Sequence, residues 1–283
     1  MPGGSICGKK TVFSGIAYLS MLLILPLCSC VPLPDDYKSS DAGFSYNAPV
    51  EGLDPGFLSQ ETVHFKISAY SRIDEISNYC EELYAAIMRE TGLYSFVPSE
   101  PYKITVYRDS AEYHSKTRLP SWSGGAAYGN ALLLYEGTSL GATAAHEMTH
   151  LIFNEYMGMN RNNSEYIWIN EGLAVYMETK FSRMAEAAYS RRFNNRIANN
   201  PIPFSQMVNL APANESSKDT DRWYAQVWSV VRFMLERGGS FNFSVFISRL
   251  KSGDTIDQAL EYAYKDWPSS KALEEAWLLH ISR

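Results

Sequence analysis

Cysteine and histidine are scarce in this chain, four and five among 283 residues, and no segment repeats or falls into low complexity. Three of the cysteines, Cys7, Cys28 and Cys30, stand at the N-terminus, which leaves Cys80 alone in the body and argues against a disulfide framework. An excess of cations is also lacking, with 25 Lys and Arg against 31 Asp and Glu. Residues 1–29 hold Lys9 and Lys10 and no acid, so without them the balance is 23 against 31, a net charge of −8. That charge repels phosphate backbones and argues against nucleic acid as a partner. Apart from residues 12–27 there is no long hydrophobic run, and the mean hydropathy of −0.23 excludes a multi-span membrane protein. What remains, 46% apolar and 13% aromatic, is a chain able to bury one large core.

The N-terminus reads as an export signal. Lys9 and Lys10 precede the apolar stretch 12–27, which ends in Leu27-Cys28-Ser29-Cys30 and runs straight into VPLPDDYKSS. An ordinary cleaved signal and an uncleaved anchor fit the same stretch, since residues 12–30 are near the minimum length for a span. Leu-x-Ser-Cys resembles the lipobox of bacterial lipoproteins. The resemblance implies that residues 1–29 are a signal peptide, that Cys30 is acylated and becomes the mature N-terminus, and that the protein is held to the membrane by that lipid. Val31 rather than Asp after the cysteine resembles the pattern sorted to the outer membrane, so a lipid-anchored protein of the bacterial cell envelope is expected. Residues 30–60, rich in Pro, Asp, Ser and Gly, read as a tether, and 61–283 as the working domain.

Within that domain, residues 61–70 alternate Val63, Phe65 and Ile67 on one face and predict a strand. Residues 72–91 follow with helical period along the stripe Ile73, Ile76, Cys80, Leu83, Ile87, where Cys80 reads as a small buried apolar group. A second strand is expected at 102–109, a short helix at 109–117 and an edge hairpin at 126–137. From residue 138 the pattern is helical: 139–156, 169–198, 221–238, 241–251, 255–264 and 270–281, with 199–220 as the one substantial loop. The fold class expected is α+β, a small mixed sheet lobe (61–137) followed by a mostly helical lobe (138–283).

Residues 146–150 are His-Glu-Met-Thr-His. Helix positions four apart differ by about 40° around the axis, so His146 and His150 project together and can share one ion. Glu147 sits on the flank of that face, about 60° from His150. Leu140, Ala144, Met148, Leu151 and Ile152 point the other way and form the packing stripe. Twenty-one residues past His150 comes Glu171, in Trp-Ile-Asn-Glu-Gly-Leu-Ala-Val-Tyr (168–176). A catalytic zinc site needs three protein ligands and one open position, and a carboxylate from a second helix completes two histidines. Gly172 and Ala174 are small enough to let that helix come close. Glu178, seven residues on and about 20° away around the axis, is placed to accept from a histidine N–H.

HEMTH followed by WINEGLAVY resembles the gluzincin metallopeptidases, and residues 60–281 are similar to the bacterial peptidase MA-like proteins. The resemblance implies a thermolysin-like zincin core, Zn²⁺ held by His146, His150 and Glu171, and Glu147 as general base in hydrolysis of a peptide or protein substrate. Tyr224 matches the tyrosine that donates to the oxyanion in gluzincins, while it also heads the apolar stripe Tyr224, Val227, Trp228, Val231, Leu235 and reads equally as core. Two departures stand out. The Gly-x-Met-Glu-Asn segment with which many aminopeptidases grip a substrate amino terminus is absent, which favours endopeptidase action, and the position four after Glu171 is Val175 rather than the acid of thermolysin-like enzymes. Residues 125–134 could receive an extended peptide along their backbone edge. His64, His114 and His280 lack partner spacing and read as structural. The competing class is an envelope lipoprotein that uses the fold as a binding or scaffolding module, but a structural metal site has no use for the base that HExxH supplies.

Overall fold

A computed structural model describes residues 55–158, 164–182, 186–197, 200–210 and 217–282. The signal, Cys30 and nearly all of the tether lie outside the described residues.

Among the described residues, five strands form one mixed sheet in the order β1-β2-β3-β5-β4. The strands are β1 (Leu58–Glu61), β2 (Phe65–Ala69), β3 (Tyr102–Tyr107), β4 (Ala126–Tyr128) and β5 (Ala131–Tyr135). β2, β3 and β5 run parallel through the middle, and β1 and β4 close the two edges antiparallel. The crossover from β2 to β3 is α1 (Ile73–Thr91), whose stripe Ile76, Cys80, Leu83 and Ile87 is buried. Burial pushes the Cys80 thiol up to about 12, so it stays protonated and inert. Between β3 and β4 lies the short helix α2 (Ser110–Thr117).

The helical part follows: α3 (Leu140–Met157), a 3-10 turn at Ser164–Tyr166, α4 (Ile167–Phe181), α5 (Glu186–Ile197), the single turn α6 (Phe204–Met207), α7 (Ser217–Lys251), α8 (Ile256–Ala263) and α9 (Ser270–Ile281). α7 is two consecutive helices that meet at a kink, where Gly239 takes φ 84° and ψ 154°. The class is therefore α+β, small mixed sheet first and helices after, as the sequence pattern implies. One core joins both parts, running from Phe65, Ile67 and Leu132 in the sheet to Trp168, Trp228 and Trp277 in the helices.

The structure corrects several boundaries. The strand read over 61–70 is two strands: Thr62 N–H donates to the Phe65 carbonyl (2.8 Å), the chain folds back, and Val63 is left exposed at the turn. The sheet thus begins at Leu58, inside the stretch read as tether. The helix read over 169–198 ends at Phe181, because Ser182 turns to extended backbone (φ −74°, ψ 148°), and α5 packs separately with Phe193 against Trp228, ring centroids 4.6 Å apart. Of the hairpin, only β4 lies at an edge. The loop read over 199–220 holds α6 and the first turn of α7.

Packing depends on one close approach. A Cβ built on Gly172 would stand 2.5 Å from the Val227 carbonyl oxygen and 2.6 Å from Val231 Cγ2, so α4 and α7 touch backbone to backbone there. Gly172→Ala should force them apart, destabilising by about 1–3 kcal/mol and lowering the unfolding midpoint by roughly 2–12 °C. An unchanged melting curve would show that the contact is looser than described.

Candidate metal centre

α3 is buried on nearly every side, with each residue from Thr143 to Phe153 inside the protein. Such a helix carries polar side chains only where each one finds a partner. Thr149 returns its hydroxyl to the Ala145 carbonyl one turn back (2.7 Å). His146, Glu147 and His150, only 0%, 2% and 6% exposed, face α4 and the start of β4.

The four-residue spacing sets the two imidazoles side by side, centroids 4.9 Å apart and planes at 77°. Their Nε2 atoms converge on Glu171 Oε2 of α4, at 3.9 Å from His146 and 3.7 Å from His150. The three ligand atoms lie within 4.8 Å of one another and could hold a metal ion. Zinc bonds of about 2.0–2.2 Å would place tetrahedral ligands about 3.3–3.5 Å apart, close to the present separation of each histidine nitrogen from the carboxylate.

The outer face of each imidazole is answered as well. Glu178 Oε2 accepts from His146 Nδ1–H at 3.0 Å, and Asn170 Oδ1 accepts from His150 Nδ1–H at 2.8 Å. Asn170 is itself oriented because its Nδ2 donates to Asn154 Oδ1 (3.0 Å). Neutral rings with the proton on Nδ1 would each turn an Nε2 lone pair inward, the tautomer a metal ligand needs. Burial opposes a charge on His146, but the hydrogen bond it donates to Glu178 and the nearby carboxylates of Glu178, Glu147 and Glu171 outweigh it and raise its pKa to about 9. Two nitrogens with one carboxylate suit zinc.

Glu147 lies under the turn that enters β4. A Cβ on Gly125 would sit 2.7 Å from Thr143 Cγ2 and 3.3 Å from Glu147 Cγ, so only glycine fits over the carboxylate stem. The turn is braced from behind: Ser123 Oγ donates to the Gly125 carbonyl (2.9 Å), and Tyr113 Oη is 2.9 Å from Ser123 Oγ. Sequence reasoning missed this brace and the Asn154–Asn170 pair. The second left one trace, since Asn154 falls four residues after His150 on the same stripe.

The other sequence candidates are placed as follows. Glu178 occupies the accepting position beside His146, while Val175, where thermolysin-like enzymes carry an acid, packs into the core. Tyr224 is 5% exposed, edge-on to Trp223 (centroids 5.1 Å), one turn before Val227 on the α7 face that meets α4. His64 pairs with Glu81 (2.6 Å) and stacks on Tyr84, His114 reaches the Leu119 carbonyl and His280 lies against Phe233, so none of the three approaches the cluster. Cys30 is outside the described residues.

Two histidines and a glutamate on packed helices, beside a sheet whose edge strand begins over a second glutamate, form a cluster that could hold a metal ion in the gluzincin manner. The family model of the Peptidase MA superfamily matches residues 83–282, and the chain belongs to that superfamily. No curated protein matches it.

Because Glu178 orients His146 without reaching the ion position itself, Glu178→Ala should weaken metal binding by about 10–100-fold while leaving the fold intact. Asn170→Ala should act similarly through His150. Chelator competition measures both, and wild-type affinity in either variant would show that the partner does not orient its ring.

Proposed function

We propose that this protein is a zinc-dependent endopeptidase, anchored to the bacterial cell envelope through an acylated Cys30. The observation that carries the reading is Glu147, a buried carboxylate beside the His146, His150 and Glu171 cluster, where a purely structural metal site would have no work for it.

Zinc, when bound, lowers the pKa of water toward neutrality and polarises a carbonyl oxygen. His146, His150 and Glu171 would hold it, with Glu178 and Asn170 keeping the imidazoles turned. Glu147 accepts the proton of the attacking water on its carboxylate and passes it to the nitrogen of the departing amine. The hydroxyl of Tyr224 donates to the oxygen on which negative charge develops. The substrate lies extended along β4, the edge strand that starts at the Gly125 turn above Glu147. The missing Gly-x-Met-Glu-Asn segment supports cleavage within chains rather than at amino termini. No helix among the described residues is long and apolar enough to cross a membrane. The lipobox-like Leu27-Cys28-Ser29-Cys30 supports attachment through a lipid on Cys30, and Val31 after it supports the outer membrane.

The purified protein should hold about one zinc per chain and lose it on His150→Ala. Glu147→Gln should keep the metal while peptide hydrolysis falls at least about a hundredfold, and Tyr224→Phe should lose roughly ten- to a thousandfold. Full activity in the Glu147 variant would place the base elsewhere. Metal retention with no cleavage of a broad peptide library by the unsubstituted protein would favour a binding or scaffolding role.

Cys30→Ser should abolish incorporation of labelled fatty acid and leave the chain unprocessed or soluble. A cleaved, membrane-bound product from that variant would refute the lipid anchor.

A further inference from the structure

Away from the metal centre, eight large apolar residues among those described stand well exposed, and three of them, Tyr94, Val97 and Phe241, follow closely in sequence on a single helix crossing, while a fourth, Tyr262, 67% exposed, lines the groove beside it. There the end of α1 meets the break in α7, so closely that a Cβ on Gly92 would lie 2.4 Å from the Ser240 carbonyl oxygen. Phe241 follows Ser240, and Tyr94 and Val97 follow Gly92. Val97 is next to Phe96, whose ring stands edge-on to Tyr156 at 5.8 Å.

Beside this crossing runs a groove of about 370 Å³, lined by Ser95, Tyr156, Ser244, Ser248, Arg249 and Tyr262 among others. Its rings are held in place. Arg249 lies over the Tyr262 ring at 4.4 Å and is itself fixed by Asp254 (Nε to Oδ2, 2.5 Å), and Lys251 lies over the Tyr156 ring at 4.4 Å. Ser244 and Ser248 are one turn apart on α7 and face the same groove.

This lining selects a ligand by elimination. The walls are helix and loop rather than strand, so an extended peptide would meet no backbone ladder. The guanidinium in the groove is already paired with Asp254 and the chain carries −6 overall, so an anion gains little. Ser244 already donates to the Phe241 carbonyl (2.7 Å), but an acyl chain would desolvate the hydroxyls of Ser95 and Ser248 and offer them no hydrogen bond. A ligand with flat apolar faces and a rim of hydroxyls satisfies both surfaces: one sugar ring covers the exposed side of Tyr262, away from Arg249, and Ser95 and Ser248 with the remaining Arg249 N–H groups bond the rim. The volume is at the small end of ligand sites, which run from about 300 Å³.

We propose that the groove between the end of α1 and the second half of α7 is a binding site for a neutral saccharide chain, a function separate from the metal centre and independent of the catalytic reading.

Chitotetraose and cellotetraose, titrated calorimetrically into the full chain in detergent, test it. Saturable binding with a Kd of roughly 0.1–1 mM is expected for at least one of them. Tyr262→Ala, an exposed position whose loss leaves the melting temperature unchanged, should weaken binding at least about tenfold, and Ser248→Leu, which fills the groove, should do the same. Leu279→Ser, exposed elsewhere, should bind as the unsubstituted chain does. The proposal fails if neither tetrasaccharide saturates, or if Tyr262→Ala and Ser248→Leu bind normally. It also fails in favour of a membrane surface if the Cys30→Ser chain binds phosphatidylethanolamine–phosphatidylglycerol vesicles through Tyr262 and binds no saccharide.

Discussion

The centre of this protein is governed by the cost of burying polar groups on α3. His146, Glu147, Thr149 and His150 all lie inside the molecule on a helix that is otherwise core, and a buried polar group without a partner costs about 1–3 kcal/mol, more when charged. α4 answers that demand. It supplies Glu171 on the inner side of the two rings and Asn170 and Glu178 on the outer side, three side chains within three turns. The pairing of these helices is thus decided by chemistry as well as by packing.

Holding α4 in register against α3 falls to α7. Gly172 allows the Val227 backbone to come into contact, and the fully buried Trp168, Trp223, Trp228 and Trp277 belong to the same core. Well-packed interiors resist displacement, so the ligand atoms on α3 and α4 are set by a rigid body rather than by loops. The sheet does the same on the other side. β4 reaches the centre through a turn braced by Tyr113 and Ser123, with Gly125 packed over the stem of Glu147.

Electrostatically the centre is overloaded with negative charge. Glu147, Glu171 and Glu178 surround one fully buried imidazole, and they overcome burial in raising its pKa. Removing a positive charge from such a site is unfavourable, since carboxylates close together in a poorly solvated place repel one another. A divalent ion resolves the conflict with fewer protons bound, which couples metal affinity to the intact fold.

Much of this was legible in the chain because helical geometry is local. His146, Glu147 and His150 follow from spacing within one helix, and Glu178 follows from its position two turns beyond Glu171 on the same face. The order of a sheet part and a helical part follows from periodicity. Glu171 needed the likeness of its surrounding motif, since nothing within its own helix says which histidines it meets. Tertiary structure alone decided the rest. Asn154 meets Asn170 across sixteen residues and Tyr113 meets Ser123 across ten, through crossings that no periodicity encodes. The break at Ser182 and the turn at Val63 escaped for the same reason. Apolar spacing reports which face of an element is buried, whereas an element ends where its backbone finds better partners elsewhere in the fold.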